Sequence, residues 1–560
     1  MTAQQGSVTF PVSSTVDFVV IGSGAAGGVM AKELSTRGFS VVVMEQGPRM
    51  APTQFEHDEF KYYFQNAIAN QSPVSWRQSA NEEAKVGAGT LLYARLVGGS
   101  SVHMTANFWR FRPIDFIEAS KLGPMAGTAL ADWPITYAEL EHYTKVDCEI
   151  GVSGVPGPGD APRSRPYPMP PLPVKSSGVL FERAARKLGW HPTPAPLAIL
   201  SKAHNGRAPC QNCGFCMQFG CEYGAKSSSL ASVIPVAERT GKCEVRANSY
   251  VTRIEMDAKG RATGVSYFDA QKRHQLQRAR AVVVCANGAE TPRLLLNSAT
   301  NAFPNGLANS SGMVGRHLMF NGGAGVTGVY EHPLNDYKGA QVTRLAMDWY
   351  DSDPKRGFYG GGGIDARFDA NYPVMFALGN LPPTVPKWGA EFKRFMAHAW
   401  TRQMTTLGHT TSLPLSTNTI TLDPTAKDAW GIPALRVTYK DHADDLKMTE
   451  FLQKRSHELH EAAGALQHWS APVKVTNWAA HLLGTCRMGN DPSTSVIDRN
   501  HRAHDVKNLF ICDGSSFVTS GRGQPTMTIM ALAFRAGGED CRVCEAERDL
   551  NSPEVPNASS

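Results

Sequence analysis

The chain has 560 residues, of which 42% are hydrophobic and 19% charged, as expected for a folded protein with more than one domain. The formal net charge of +6 includes no run of five or six basic residues, so we expect no role at nucleic acid or at a membrane surface. No apolar stretch reaches about 18 residues, so no membrane span is predicted. Residues 1–16 lack the features of an export signal, and the 11 cysteines do not pair evenly, which argues against a secreted disulfide scaffold.

The N-terminal residues predict a βαβ unit. Residues 17–21 form an apolar strand, a helix continues to Thr36, and a second buried strand at 40–44 ends at Glu45. The turn between the first strand and the helix contains the glycines of a GxGxxG motif, Gly22, Gly24 and Gly27. Such glycines let the backbone approach a pyrophosphate at the helix N-terminus, and the acid that ends the second strand is placed to bind a ribose hydroxyl. The unit therefore predicts a dinucleotide site.

The rest of the chain alternates strand-like and irregular segments. Residues 47–93 are irregular, and residues 156–173 form a Pro-rich connector. Strand-rich segments are predicted at 244–254 and 281–285, further strands at 419–422, 434–439 and 508–512, and helices at 443–463 and 527–537. The chain is thus expected to leave the nucleotide domain and return to it more than once.

Four cysteines, Cys210, Cys213, Cys216 and Cys221, are close together in one short segment. The spacing favours an iron–sulfur cluster, although the last interval is longer than the first two and no proline follows. Three ligands would hold a three-iron cluster and a fourth would permit four irons. A structural zinc site and cysteines without a metal remain open alternatives. A second pair, Cys541 and Cys544, is interpreted as structural or incidental.

Five motifs, in order along the chain, resemble those of the glucose–methanol–choline (GMC) oxidoreductase family. They are Arg95–His103, Trp133–Leu140, Asn287–Ser298, His481–Gly489 and Cys512–Ser515. The resemblance implies an α/β fold in which a Rossmann-like FAD-binding domain is interleaved with an α+β substrate-binding domain. It implies that residues 15–110, 241–325 and 485–545 together form a discontinuous FAD-binding domain. Residues 111–240 and 326–484 would then form the substrate domain, including the cysteine segment 210–221.

The resemblance also implies site residues. His481 occupies the position of the family's catalytic histidine, and a histidine titrates near working pH. Gln524 stands where the family usually has Asn or His, and it keeps an amide but adds a methylene. His103 is at an offset where some relatives bond the flavin covalently, so it is expected either to carry that bond or to pack over the flavin. The full set of implied FAD contacts is Gly22, Gly24, Gly27, Glu45, Arg95, Gly98, Gly99, Ser100, His103, Val251, Asp513, Gly514, Pro525 and Thr526.

Within that family, the Cys-Gly-Phe-Cys segment and Gly224–Ser228 are similar to the flavoprotein subunits of gluconate 2-dehydrogenase and related sugar dehydrogenases. This similarity implies oxidation of a sugar, sugar acid or polyol by FAD, with electrons passing through a cluster, expected to be 3Fe–4S, to a c-type cytochrome. It also implies a small partner subunit that carries an export signal, and hence a periplasmic location, with a cytoplasmic one as the alternative. Three other functions remain open: an oxygen-reducing alcohol oxidase, a redox-idle lyase and a noncatalytic FAD-binding electron-transfer subunit.

Aromatic and glycine-rich positions offer a weaker indication of a sugar site. Trp109, Trp133 and the run Tyr359–Ile364 have the residue types that stack on sugars or form turns around them. Each is at least as typical of packing, so they do not identify a substrate.

Overall fold

The computed structural model describes residues 8–367, 372–379 and 381–538. A mixed seven-stranded sheet forms the first layer of the fold. Six of its strands follow one another in the spatial order Cys243–Arg246, Val41–Met44, Thr15–Ile21, His274–Val284, Ala262–Phe268 and Tyr250–Met256, and Leu509–Ile511 is the seventh. The parallel segments 18–21, 41–44, 281–284 and 509–511 are continuous apolar runs, as expected for a sheet covered on both faces, whereas the edge strand Cys243–Arg246 contains a glutamate and an arginine.

One long strand, His274–Val284, connects the parallel and antiparallel parts of this sheet. Its first residues pair antiparallel with Ala262–Phe268. Its last residues pair in parallel with both Thr15–Ile21 and Leu509–Ile511. The sheet therefore joins strands from the first and last parts of the chain, and its carboxyl edge brings their following loops together.

A second, six-stranded sheet is antiparallel throughout. Its strands are, in spatial order, Gln467–Trp469, Gly323–Val329, Gln403–Thr410, Gly362–Arg367, Val342–Trp349 and Pro192–Pro194. Two smaller sheets contain the remaining strands Thr419–Lys427, Pro433–Thr438, Val74–Arg77 and Lys85–Val86, and Trp478–Ala479 with Thr90–Leu91.

Helices cover both large sheets. Ala25–Thr36 packs against Thr526–Gly537 beside the seven-stranded sheet, and Ala443–Ala462 packs on the six-stranded sheet. The other described α-helices are Glu118–Leu122, Tyr143–Lys145, Ser176–Lys187, Ile234–Arg239, Asn287–Asn297, Pro373–Gly379 and Gly389–Ala399. None of the helices in the described ranges is both long and apolar enough to cross a bilayer.

The predicted α/β fold with a Rossmann-like βαβ unit is confirmed, and each strand or helix predicted above lies within a few residues of an observed one. None of the six strands of the second sheet, at 192–194, 323–329, 342–349, 362–367, 403–410 and 467–469, was predicted. The domain boundaries stay a prediction, and Cys541 and Cys544 lie outside the described residues.

Candidate functional site

One cavity of about 970 Å³ connects the glycine-rich turn with the C-terminal motifs. Of the predicted site residues, it is lined by Gly22, Gly24, Glu45, Gly99, Ser100, His103, Val251, His481, Asp513, Gly514, Gln524, Pro525 and Thr526. Gly27, Arg95 and Gly98 are not among its lining residues. The structure therefore brings together most of a set whose members are distributed along almost the whole chain.

The glycine-rich turn permits a close approach of three backbone segments. Gly22 has φ +92°, and a Cβ there would lie 2.5 Å from the carbonyl oxygen of Cys285. A Cβ on Gly27 would lie 1.9 Å from the carbonyl oxygen of Gly22, so this glycine lets the helix pack on the strand. A Cβ on Gly99 would lie 2.9 Å from Gly24 Cα. The helix Ala25–Thr36 therefore begins at the cavity wall. The backbone N–H groups of its first turn have no partner within the helix and can bind a pyrophosphate.

Glu45 ends the second strand, and its carboxylate braces the same turn. Oε2 accepts hydrogen bonds from Ser23 N (3.1 Å) and Ser23 Oγ (2.6 Å), and Oε1 accepts from Gly47 N (3.0 Å). Burial raises the pKa of this carboxyl, and these hydrogen bonds oppose the rise. Oε1 keeps a second lone pair to which a ribose hydroxyl can donate.

The imidazole of His481 is held by a neighbouring amide on the cavity wall. Asn321 Nδ2 donates to three carbonyl oxygens, of Thr410 (3.2 Å), Ser520 (3.3 Å) and Gly521 (3.3 Å). Because its nitrogen is thus committed, Asn321 Oδ1 is the acceptor that lies 3.0 Å from His481 Nδ1. The proton of the neutral ring is therefore on Nδ1, and Nε2 carries the lone pair that can accept a proton.

Burial lowers the pKa of His481 to about 3, and the positive charges of His409 and Arg367 contribute to the lowering. The ring is thus neutral over the whole ordinary pH range, as a base must be before it accepts a proton. Gln524 lies on the wall of the same cavity, two residues after the buried Arg522. Arg522 forms ion pairs with Asp115 and Glu118, and these contacts fix the loop that presents the Gln524 amide.

A buried charged cluster that the sequence did not indicate adjoins His481. Arg367 Nε donates to Asp365 Oδ1 (2.7 Å), and His409 Nε2 donates to Asp365 Oδ2 (2.7 Å). The two cationic partners hold the pKa of Asp365 down, at about 2, against the effect of burial. Arg367 and His409 both line the cavity. No local motif marks these residues, because the pairing of Gly362–Arg367 with Gln403–Thr410 is what brings them together.

His103 lies on the cavity wall with a buried Nε2 that has no hydrogen-bond partner among the described residues. Burial and the nearby Lys226 charge lower its pKa to about 4, so the ring is neutral. Its own carbonyl oxygen accepts from Gln218 N at 2.8 Å. This contact joins the Arg95–His103 loop to the cysteine segment.

The four cysteines Cys210, Cys213, Cys216 and Cys221 face one small space of about 20 Å³. Burial raises the pKa of Cys216 to about 12, so its thiol is protonated in the metal-free chain. Within the described ranges, no group of three or more His, Cys, Asp or Glu side chains is arranged to hold a single metal ion. The four thiols share a space but do not surround one point within it.

Lys226 lies beneath this space and is only 2% exposed. Its ammonium donates to the carbonyl oxygens of Val102 (3.3 Å), Phe219 (2.9 Å) and Cys216. No described carboxylate forms an ion pair with it, and the acidic groups that act on it include all four thiols. Lys226 belongs to the motif Gly224–Ser228, but the sequence does not indicate its burial, since lysine is usually a surface residue.

The aromatic positions considered for sugar stacking are packing residues. Trp109 Nε1 donates to the Arg522 carbonyl (3.1 Å), and Trp133 Nε1 donates to Thr519 Oγ1 (2.8 Å). Tyr359 is hydrogen-bonded to Glu118, and the following glycines enter a strand of the six-stranded sheet. None of them lines the large cavity.

Comparison with known proteins identifies the class that this fold and site define. Family models described as GMC oxidoreductase match residues 175–320 and 414–533, and a model of an NAD(P)-binding Rossmann-like domain matches residues 20–76. Among solved structures, the fold is similar to pyridoxine 4-oxidase from Mesorbium loti, with TM-score 0.65 and 18% identity over 93% of this chain and 98% of that one. A formate oxidase variant from Aspergillus oryzae gives TM-score 0.63 and 13% identity over 96% and 99%.

Sequence relatives extend over nearly the whole chain. A 2-methyl-1,2-propanediol dehydrogenase of Mycolicibacterium austroafricanum is 35% identical, covering 93% of this chain and 94% of its own. The fructose dehydrogenase large subunit of Gluconobacter japonicus is 30% identical (93% and 97%), and the gluconate 2-dehydrogenase flavoprotein of Pantoea cypripedii is 27% identical (93% and 92%). The chain belongs to the GMC oxidoreductase family and is an FAD-dependent oxidoreductase that acts on CH–OH groups of alcohols or sugars.

Proposed function

We propose that this chain is the flavoprotein of a dehydrogenase that oxidises a hydroxyl of a sugar, sugar acid or polyol and passes the electrons to a c-type cytochrome. The observation that carries the proposal is the fixed Nδ1–H tautomer of His481 on the wall of the cavity that also contains the glycine-rich turn. Relatives named as fructose and gluconate dehydrogenases support the substrate class.

FAD, when bound, supplies the acceptor for the hydride that leaves the substrate carbon. Gly22 and Gly24 and the start of the helix would hold its pyrophosphate, and Glu45 its ribose. His481 Nε2 would take the hydroxyl proton, so that the carbon–oxygen double bond forms as the hydride departs. Asn321 keeps Nε2 available for this transfer, and the Gln524 amide would orient the hydroxyl oxygen.

An iron–sulfur cluster fits the chemistry of the cysteine segment. The four cysteines line one small space, and the buried ammonium of Lys226, which has no described carboxylate partner, lines it too. Thiolates around such a cluster are spread over several iron atoms, so their spacing need not satisfy the geometry of one ion. The present space holds about one water molecule, so the segment must move outwards to admit a cluster. Bound there, a cluster would supply one-electron transfer.

A c-type cytochrome as the electron acceptor is part of the same proposal. A hydride brings two electrons, whereas a c-type cytochrome accepts one at a time. A cluster between them would let the two electrons leave singly. Co-export with a small signal-bearing subunit, and hence a periplasmic location, is part of the same proposal.

The decisive experiment is anaerobic flavin reduction by a hexose, a sugar acid and a polyol in turn. We expect bleaching of the flavin by at least one of them, with the electrons then recovered in added ferricytochrome c. His481→Ala is expected to retain FAD and to slow bleaching by about 10²- to 10⁴-fold, since that is the usual contribution of a positioned base. A histidine outside the cavity, His504, provides the matched control, and His504→Ala should bleach at the wild-type rate.

Each alternative function has its own outcome. Rapid reoxidation by oxygen with stoichiometric peroxide would identify an alcohol oxidase instead of a dehydrogenase. Absence of bleaching with every substrate would contradict a redox role and favour a lyase. If the flavin of His481→Ala is bleached at the wild-type rate, His481 is not the base.

A further inference from the structure

A second cavity, of about 140 Å³, adjoins the large cavity and is called the outer pocket below. Gly322, Gly323, Lys474 and Thr476 line both spaces. Asn321, whose amide oxygen holds the His481 imidazole, directly precedes the first of these residues. The outer pocket therefore lies beside the His481 end of the large cavity, where a substrate would react.

The outer pocket is a gap between a strand and a segment that stops pairing with it. The strand Gln467–Trp469 pairs with residues 327–329 of the strand Gly323–Val329 and with no earlier residue of that strand. Continued pairing would place Ala471 opposite Gly325, but the Ala471 carbonyl accepts a hydrogen bond from Gln453 Nε2 at 2.8 Å instead. The segment after Trp469 thus leaves the sheet, and the outer pocket lies between it and the strand edge.

This strand edge presents backbone groups to the outer pocket. Thr410 N donates to Gly322 O (3.2 Å) on the other side of the strand. In an antiparallel pair, successive residues direct their N–H and C=O groups to alternate edges, so those of Gly323 and Gly325 point to the edge at the outer pocket. No described strand pairs with this edge at residues 323–326. Two donors and two acceptors are therefore available to a ligand.

The charged residues of the outer pocket exclude two classes of ligand. Asp441 accepts from Thr476 N (2.6 Å) and Thr476 Oγ1 (3.1 Å), and Asp445 accepts from Leu413 N (3.2 Å). Both carboxylates are thus engaged by the fold, and no described cluster of ligating side chains is arranged for a metal ion. Two carboxylates against the single ammonium of Lys474 also disfavour an anion.

The other lining groups suit a neutral ligand that is rich in hydroxyls. The Lys474 ammonium is exposed and has no hydrogen-bond partner among the described residues, so it can donate to a hydroxyl oxygen. Leu446 and Val473 offer apolar surface to the C–H groups of a ring. The volume admits roughly ten water-sized groups, which is about the size of one sugar ring.

We propose that the outer pocket is a second subsite, which binds an uncharged sugar unit linked to the unit that is oxidised at His481. The preferred substrate is then a disaccharide or another glycoside of two rings, and a free monosaccharide fills only the inner part of the site. This inference rests on the proposed function, because it requires that His481 acts on a sugar.

The first test measures anaerobic flavin reduction by glucose, galactose and fructose and by maltose, cellobiose, lactose and sucrose. We expect at least one disaccharide to have a KM at least about tenfold lower than each monosaccharide, since two or more added hydrogen bonds give such a factor. The values of kcat should be similar, because contacts remote from the reacting carbon hold substrate and transition state equally.

Two variants locate this effect in the outer pocket. Gly325 lines the outer pocket but not the large cavity, and a Cβ there would meet no atom closer than 4.0 Å, so valine fits the strand and occupies part of the space. Gly325→Val should abolish the KM advantage of the disaccharide. Lys474→Met should reduce this advantage by about threefold to tenfold. Lys454→Met, an exposed lysine of the helix Ala443–Ala462, is the control and should leave all KM values unchanged.

A binding measurement separates recognition from turnover. In FAD-loaded His481→Ala, calorimetric titration should show tighter binding of the disaccharide than of the monosaccharides, and adding Gly325→Val should remove the difference. Equal KM values for both sugar classes would overturn the subsite and leave the proposed function intact. An advantage that persists in Gly325→Val and Lys474→Met would likewise overturn it. Absence of flavin reduction by every sugar would refute the proposed function and the subsite together.

Discussion

Arg367 and Lys226 are both buried cations next to a candidate site, yet the protein holds them in opposite ways. Arg367 is bonded to the carboxylate of Asp365, which also receives a hydrogen bond from His409, so the cation beside His481 has an anionic partner within the chain. Lys226 is bonded, among the described residues, only to carbonyl oxygens. The cation beside the large cavity thus has a carboxylate partner, whereas the cation beside the cysteine segment has none among the described residues.

The largest expected effect comes from removing the carboxylate partner of Arg367, which would leave both buried cations without a described anion. Asp365→Asn removes the carboxylate but keeps its shape, and we expect a loss of about 3–5 kcal/mol in the free energy of unfolding, the usual cost of stranding a buried charge. Urea unfolding of the FAD-loaded protein measures it. The double variant with Arg367→Met should recover part of the loss.

The matched control is a half-exposed pair of the same chemistry. Glu182 Oε2 accepts from Arg344 Nε at 2.7 Å, and Glu182→Gln should cost less than about 1 kcal/mol because solvent screens such pairs. Equal losses in Asp365→Asn and Glu182→Gln would show that burial of the Arg367 pair carries no special weight.

A second prediction concerns the pH dependence of the reaction, which reports the protonation of His481. Burial and the charges of His409 and Arg367 lower the pKa of His481 to about 3, so Nε2 should be available at any pH above that value. We expect kcat/KM to show no acid limb from His481 near 6.5, where an unperturbed histidine titrates. His409→Gln removes one of the positive neighbours, so the acid limb should move to higher pH by roughly half to one unit.

The measurement is a pH profile of anaerobic flavin reduction with an uncharged substrate. An acid limb at about 6.5 in the wild type that disappears in His481→Ala would contradict the lowered pKa of His481. A limb that stays in place in His409→Gln would show that His409 does not act on His481.

The smallest expected effect concerns Gln524, an uncharged residue on the wall of the large cavity. Gln524→Asn restores the amide usual in the family but shortens it by one methylene, so a change of only about threefold to tenfold in the rate of flavin reduction is expected, because donor and acceptor remain. Gln524→Ala removes the amide and should slow reduction by about 10- to 100-fold. If both variants react at the wild-type rate, Gln524 is only spatially equivalent to the family position.

The sequence predicted the nucleotide half of the site well because its signals are local. Gly22, Gly24 and Glu45 belong to one βαβ unit, and short-range periodicity places them together. His481 and Gln524 were found only through motifs that resemble those of a family. Both belong to segments that reach the cavity as loops, for which periodicity gives no position.

The missed residues depend on contacts between distant segments. Asn321 precedes one strand of the six-stranded sheet, and Arg367 and His409 belong to two others. Arg367 and His409 come together because their strands, which are far apart in the sequence, pair antiparallel. No local sequence pattern indicates this pairing. Lys226 was missed for another reason: only the tertiary structure shows that this lysine is buried.

The late strand Leu509–Ile511 has a consequence for biosynthesis. It covers the edge of Val282–Val284 in the nucleotide sheet, and it is synthesised long after that edge has left the ribosome. A nascent chain therefore carries an apolar, unpaired strand edge for much of its translation, and such edges pair readily with other chains. The protein should depend on chaperones until this strand emerges, and chains cut short before Leu509 should aggregate instead of forming a smaller flavin-binding unit.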